Sequence, residues 1–319
     1  MRVFVSRKLP VDPAEVLSDH QVEVWPEASP PPAEVLRAKV SDADALLTLL
    51  SDRVDQALLD AGTRLKIVAN YAVGFDNIDV AAARERGVWV THTPGTLTDA
   101  TADLTFALLL AVARRLPEAQ AETRSGTFGH WSPTAFLGLE LAGAQLGILG
   151  FGAIGRAVAR RARAFGMRVR YCSRTEVPPD QREGAEPLDW DALLETSDVL
   201  SIHAPLTDAT RGLLSAEALF RMKPGARLIN TARGPIVDEA ALVAALEGGP
   251  LGGAGLDVFE DEPRIHPGLV ERSDVVLTPH IGSATTDARR RMAHKALRNV
   301  AAVLAGGDPP DPIPGSHST

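Results

Sequence analysis

Leu146-Gly-Ile-Leu-Gly-Phe-Gly-Ala-Ile-Gly155 is the stretch on which the fold turns. An apolar strand pattern, Leu146–Leu149, runs directly into Gly150-Phe-Gly152-Ala-Ile-Gly155, and Arg156, Val158, Ala159 and Ala162 behind it set up a helix. Each glycine has its own physical reason. Gly150 permits a tight turn, Gly152 lets backbone approach a pyrophosphate, and Gly155 allows close packing of helix on strand. The helix N-terminus then offers unpaired N–H groups and the positive end of its dipole. Glycine-rich turns are common, so the spacing alone is weak. A strand before it and a helix after it distinguish a dinucleotide site from a plain βα turn.

The next strand pattern, Arg168–Cys172, ends at Ser173-Arg174-Thr175. An Asp or Glu at this point would accept hydrogen bonds from a ribose 2′-hydroxyl and repel a 2′-phosphate. A hydroxyl beside a guanidinium binds a 2′-phosphate instead, which predicts a preference for NADPH over NADH. Arg174 stacking on adenine, with both cofactors used, is the competing reading.

Outward from this motif, short β-branched runs alternate with helical patterns along nearly all of the chain, the signature of an α/β protein with parallel sheets. Before it lie strand patterns at Val3–Ser6, Val22–Trp25, Ala45–Leu50, Ile67–Asn70 and Val88–Thr91, with helical segments at Ala33–Val40, Gln56–Ala61 and Val80–Arg86. Pro26 to Pro32 carries four prolines and reads as a stiff loop. A long helix is expected from Thr98 towards Glu122, with a stripe through Leu104, Leu108, Val112 and Leu116, divided or kinked at Pro117. Ser125 to Gly138 reads as a loop. Strand patterns continue at Val199–His203, Leu228–Asn230, Gly255–Val258 and Val275–Leu277. The last helix, about Thr286 to Leu304, either caps this second series or returns to the first. The proline-rich tail after Gly306 is expected to be loose.

At 319 residues the length favours two domains. The formal charge of −8, without a compensating Lys/Arg block, argues against a nucleic-acid partner. A single cysteine, Cys172, excludes an internal disulfide and a cysteine-built metal site, and no metal is expected. Leu104 to Ala113, the longest apolar run, is too short to span a bilayer. The expectation is a cytoplasmic protein without a membrane partner.

Three stretches place an ionisable residue at the carboxyl end of a predicted strand, the edge where open α/β sheets bind ligands. They are Leu228-Ile-Asn-Thr-Ala-Arg-Gly-Pro235, Gly255-Leu-Asp-Val-Phe-Glu-Asp-Glu-Pro263 and Val275-Val-Leu-Thr-Pro-His-Ile-Gly-Ser283. Reduction of a 2-keto acid needs a hydride, a proton for the carbonyl oxygen and a cation for the carboxylate. His280 suits the proton donor, since histidine titrates near neutrality. Glu262 is the candidate carboxylate that would orient the imidazole and favour its protonated form. Arg233 supplies a fixed bidentate cation. Singly, each also fits an ordinary loop residue; their joint arrival behind a dinucleotide fingerprint gives them weight.

With Tyr71-Ala-Val-Gly-Phe-Asp-Asn-Ile-Asp79, Thr93–Asp103, His203-Ala-Pro-Leu-Thr207 and Pro279-His-Ile-Gly-Ser-Ala-Thr285 added, the sequence resembles the D-isomer-specific 2-hydroxyacid dehydrogenases. Within them it is most similar to the glyoxylate/hydroxypyruvate reductases, almost from end to end. The resemblance implies two Rossmann-like or flavodoxin-like lobes with parallel sheets. Residues 1–96 plus 287–319 would form a discontinuous substrate-binding domain around an NAD(P)-binding domain at 97–286. It implies substrate contacts from the Val73 and Gly74 backbone, Arg233, His280 and Trp131. Asp257 would hold the nicotinamide carboxamide. Thr101, Pro205, Thr210, Thr231, Ala232 and Gly282 would be further cofactor contacts, joined by Ala153, Ile154, His203, Arg233 and His280. Ser173-Arg174-Thr175 resembles the NADPH-preferring members. Trp131 is either a residue reaching the neighbouring subunit's site or an aromatic of a homodimer core. Two other readings stay open: a dinucleotide-sensing corepressor-like protein, and a dehydrogenase of the same fold for a bulkier keto acid, formate or phosphite.

Overall fold

The computed structural model describes residues 1–316. The chain divides into two units, Met1–Leu97 with Ala284–Thr319, and Thr98–Ser283. In the first, β1 (Arg2–Val5), β2 (Gln21–Val24), β3 (Ala45–Thr48), β4 (Ile67–Asn70) and β5 (Trp89–Thr91) pair in the order β2-β1-β3-β4-β5, all parallel. Every residue of β3 and β4 is buried, as a parallel sheet covered on both faces requires. Helices Ala33–Val40, Gln56–Ala61 and Val80–Glu85 contribute to the core that holds Leu36, Leu58, Val68 and Val90. The core of the other face joins Val3, Val5, Leu47 and Ile67 to Met292, Ala296, Leu297 and Val300 of the helix Thr286–Leu304. That last helix therefore belongs to the first sheet.

The expectation of a loose tail is corrected. Pro312 bridges Thr91, the Ile313 N–H donates to the Val90 carbonyl at 3.0 Å, and Ile313 is buried. Lys295 and Asn299 on the last helix hold the Asp311 carboxylate at 2.7 and 3.3 Å. Proline is compatible with a sheet edge, and the anchoring groups lie on a helix that the tail's composition does not report.

In the second unit, β6 (Gln145–Leu149), β7 (Arg168–Cys172), β8 (Glu186–Pro187), β9 (Val199–Ile202), β10 (Ala226–Asn230), β11 (Leu251–Leu256) and β12 (Val275–Leu277) are again all parallel, in the order β12-β11-β10-β9-β6-β7-β8. The glycines of β11 admit the helix Thr98–Ala113 at close range. A Cβ on Gly255 would stand 2.9 Å from the Leu108 Cβ, and one on Gly253 2.8 Å from a Val112 methyl. The long helix breaks at Arg114–Arg115 rather than at Pro117. Arg115 takes a left-handed φ of 52°, and a second helix runs Leu116–Ser125. Pro117 falls in that helix's first turn, where its missing N–H would have had no partner. Leu116 lies past the break and is exposed, so it leaves the expected stripe.

Asp55, Asp79, Asp189, Asp238 and Thr285 each accept the backbone N–H three residues on, starting helices directly after strand exits or turns. Among the described residues, no helix is long and apolar enough to cross a membrane. Leu297→Ala is expected to cost about 2–5 kcal/mol of stability, read as a shift in denaturant midpoint at constant slope. An unshifted midpoint would mean that the last helix does not carry the first unit's core.

Candidate active site

In the second sheet the chain starts at β6, builds outward through β7 and β8, then returns to β9 on the other side of β6. The strand order reverses between β6 and β9, and the crevice at their carboxyl ends is where such sheets take ligands. The residues following these strands are Gly150–Gly155 and His203–Pro205. Gly150 has φ 89°, and a Cβ on it would collide with the Ala204 N at 2.5 Å. A Cβ on Gly155 would stand 2.3 Å from the Gly150 carbonyl oxygen, so helix Ala153–Ala164 rests directly on the turn. Gly152 caps that helix, and a Cβ there would meet nothing within 4 Å. The turn is thus shaped by backbone contact at Gly150 and Gly155 and left open at Gly152, which fits a bound pyrophosphate. Ala153 and Ile154 form the helix's first turn. Ser173, Arg174 and Thr175 follow β7, with Arg174 and Thr175 exposed.

Two histidines sit at strand exits of this unit, and they differ. Desolvation pushes the His203 imidazole down to about 3, and its Nε2 meets the Ser201 hydroxyl at 2.8 Å. It is a neutral hydrogen-bonding group. His280 Nδ1 meets Glu262 Oε2 at 2.9 Å, and both side chains are about one-third exposed, at 31% and 37%. Burial would raise the Glu262 carboxyl. The hydrogen bond and charge of His280, the Phe259 N–H at 3.1 Å and the charge of Arg233 outweigh it and hold the carboxyl below its usual range. Glu262 is therefore ionised at neutral pH, and that state is lost only as pH falls through its depressed pKa. An ionised carboxylate on Nδ1 fixes the imidazole orientation and leaves Nε2 as the working nitrogen.

The backbone explains why these side chains meet. A Cβ on Gly234 would lie 1.9 Å from the Phe259 carbonyl, so the Arg233 turn rests flush on the loop that carries Glu262. Asn230 shapes that turn, its Nδ2 donating to the Arg233 carbonyl at 2.9 Å and its Oδ1 accepting from the Ala232 N–H at 3.0 Å. Glu239 holds the acidic loop, accepting from the backbone N–H groups of Glu260 at 2.8 Å and His266 at 3.2 Å. Asp257, fully buried, accepts from the Thr278 hydroxyl and the Ile281 and Gly282 N–H groups at 2.6, 2.7 and 2.8 Å. Its carbonyl takes the His280 N–H at 2.8 Å. His280 itself has a left-handed φ of 52°. Burial pushes the Asp257 carboxyl up, against these hydrogen bonds and the His280 charge.

Of the other expected contacts, Thr101 donates to the Gly282 carbonyl at 3.2 Å, and Thr231 pairs with Thr105 at 3.0 Å. Thr210 donates to the Pro205 carbonyl at 2.7 Å. Asn230, Glu239, Thr105 and Thr278 were missed in the sequence reading. Each acts through backbone or a second side chain; Asn230, within the Arg233 motif, and Thr278, within the His280 motif, carried a local signal. In the first unit, the Val73 carbonyl meets His92 Nδ1 at 2.9 Å and the Gly74 carbonyl accepts from Asn70 at 2.8 Å. Among the described residues the Val73 and Gly74 N–H groups have no protein acceptor. Trp131 stands 82% exposed on the loop after Ser125.

The two glycine environments separate cofactor binding from folding. Gly152→Ala should keep the wild-type melting temperature and lose at least about tenfold in dinucleotide affinity. Gly155→Ala should lose both. Equal dinucleotide affinity in Gly152→Ala and wild type, measured by fluorescence titration, would remove the pyrophosphate assignment.

Comparison with known proteins meets this geometry. The family model for the D-isomer specific 2-hydroxyacid dehydrogenase NAD binding domain matches residues 106–282. A glyoxylate reductase of Thermococcus litoralis is 49% identical over 316 residues, covering 97% of this chain and 96% of its own. The solved glyoxylate reductase of Paecilomyes thermophila superposes with a TM-score of 0.90 at 34% identity, over 98% of each chain. An NADPH-dependent glyoxylate/hydroxypyruvate reductase of Sinorhizobium meliloti, in complex with NADP and malonate, gives 0.86 at 34% identity over 99% of this chain and 97% of that one. The chain belongs to the D-isomer-specific 2-hydroxyacid dehydrogenases and is an NAD(P)-dependent oxidoreductase.

Proposed function

We propose that this dehydrogenase reduces glyoxylate or hydroxypyruvate to the D-2-hydroxy acid, with NADPH preferred over NADH. The observation that carries the reading is the His280–Glu262 pair beside the charge of Arg233, in the unit that also holds the glycine cradle. A nicotinamide bound through that cradle supplies the hydride. His280 Nε2 gives the proton to the keto oxygen, and Glu262 keeps the imidazole oriented. Arg233 supplies the cation for the substrate carboxylate, and within the first unit the Val73 and Gly74 N–H groups are available to take a carboxylate. The names of the relatives at about half identity support the two-carbon keto acid, and the Sinorhizobium meliloti reductase at 34% identity supports the three-carbon one.

Cofactor preference rests on Arg174, exposed beyond β7 without a carboxylate in Ser173–Thr175 to oppose a 2′-phosphate. We also read the segment with exposed Leu116, Phe128, Trp131 and Leu137 as a homodimer face, from which Trp131 reaches the partner's substrate site.

His280→Ala should lower kcat for glyoxylate by at least about 100-fold, the scale of a lost general acid. Glu262→Gln should change the pH profile of reduction, because the imidazole loses the carboxylate that orients it. Near-wild-type kcat in the first variant, or an unmoved profile in the second, would remove the assigned role. Arg174→Asp should move the NADPH/NADH ratio of kcat/KM towards NADH by about tenfold or more; an unchanged ratio would clear Arg174 of the selection.

A further inference from the structure

The first sheet also has a reversal of strand order, between β1 and β3, and its carboxyl-end crevice is the place where such sheets ordinarily take a ligand. Here side chains of the protein fill it. Arg7 and Asp52, 7% and 3% exposed, pair across it at 3.3 Å. The Asp52 carboxylate also accepts from the Ser6 hydroxyl, the Thr48 hydroxyl at 3.0 Å and the Leu49 N–H at 2.8 Å. Arg7 donates to the Ser51 hydroxyl at 2.9 Å and to the Ser6 carbonyl. A buried ion pair contributes little net stability against its desolvation, but a fully satisfied buried network fixes geometry. What it fixes is the turn Leu49–Asp52, closed by the Asp52 N–H on the Leu49 carbonyl at 3.0 Å.

Asn77 joins this turn to the neighbouring strand exit. Its Nδ2 donates to the Leu49 carbonyl at 3.1 Å and to the Asp52 carbonyl at 3.0 Å. Its Oδ1 accepts from Asn70 Nδ2 at 3.3 Å, and that same Asn70 nitrogen donates to the Gly74 carbonyl at 2.8 Å. The Asn77 carbonyl accepts the Val54 N–H at 2.9 Å. Asn77 thus uses both ends of its amide to tie the Leu49–Asp52 turn to the Val73–Gly74 segment.

We propose that Asn77, anchored by the Arg7–Asp52 plug through the Leu49–Asp52 turn, is the positioning residue that holds the Val73–Gly74 N–H groups in place for the substrate carboxylate. The assignment rests on the 2-keto acid reading above for its ligand. It concerns substrate binding alone, since every group in the chain of bonds belongs to the first unit, whereas the dinucleotide cradle belongs to the second.

The test is Asn77→Ala in the full-length enzyme, read by steady-state kinetics and by hydrogen exchange of residues 49–54 and 71–77. The glyoxylate KM should rise about tenfold for the lost bonds, with kcat within about threefold and the NADPH KM unchanged. Both segments should exchange faster together. A purely structural role would lower the active fraction and leave both KM values alone. The proposal is overturned if the glyoxylate KM stays within about twofold of wild type, or if either segment keeps its protection. Should Asn77→Ala fail to fold, Asn77→Ser carries the same expectations. A wild-type enzyme that turns over no 2-keto acid would sink the substrate reading, and the exchange experiment would then decide the tie by itself.

Discussion

Parallel pairing is the constraint from which the rest follows. With all strands of a sheet running one way, every strand exit lies along one edge, and the helices that follow begin there with unpaired N–H groups. Residues tens of positions apart in sequence therefore need only follow a strand to become neighbours. Arg233 follows β10, Glu262 lies in the loop after β11, and His280 follows β12. Their order across the sheet is the order of those three adjacent strands. The imidazole and carboxylate meet, and the guanidinium charge acts on the carboxylate, because these three adjacent strands end beside one another.

Strand exits are nevertheless loops, and a proton donor must be held within a fraction of an ångström. The protein solves this repeatedly with a buried carboxylate that accepts backbone N–H groups. Asp257 holds the His280 loop, Glu239 holds the acidic loop, and Asp52 holds the turn after β3. Each carries a desolvation cost, and each is offset by several charge-assisted hydrogen bonds. At Asp257 the offset is incomplete, since burial still pushes its carboxyl up. The cost is met where backbone geometry matters most: the residue it orients, His280, sits in a left-handed conformation that a side-chain-bearing residue does not adopt unaided.

How much of this was legible in the sequence depends on the range of the signal. The glycine turn was readable because part of its reason is local: Gly150 needs a positive φ and Gly155 needs room for the Gly150 carbonyl, whereas the Ala204 backbone that crowds Gly150 comes from another strand exit. The alternation of strands and helices was readable from apolar runs, to within a residue or two at most ends, although the glycines of β11 hid its first four residues, Leu251–Ala254. The break in the long helix was assigned to Pro117 because proline is the visible breaker, whereas the left-handed turn at Arg115 has no compositional mark. The tail was misjudged for a similar reason: its prolines are visible, and Asn299, which fixes it, is a single polar residue on an amphipathic helix. The supporting carboxylates were the least legible. An Asp that caps its own helix has a three-residue signature, but Asp52 and Glu239 act on groups brought to them by the fold.

The two units use one edge in opposite ways, and this difference assigns them their tasks. At the β6/β9 reversal Gly152 leaves the turn open, and His203 at the β9 exit is held neutral by desolvation. An uncharged crevice at a helix N-terminus is free to accept an anionic pyrophosphate. At the β1/β3 reversal the crevice is filled by a neutralised ion pair, which offers an incoming anion no net charge and no space. On the proposed function, a ligand of the first unit uses the next exit, at the N–H groups of Val73 and Gly74 after β4. Two backbone N–H groups suit a carboxylate but are too few for a dinucleotide, so the proposed function gives the small ligand to the first unit and the large one to the second.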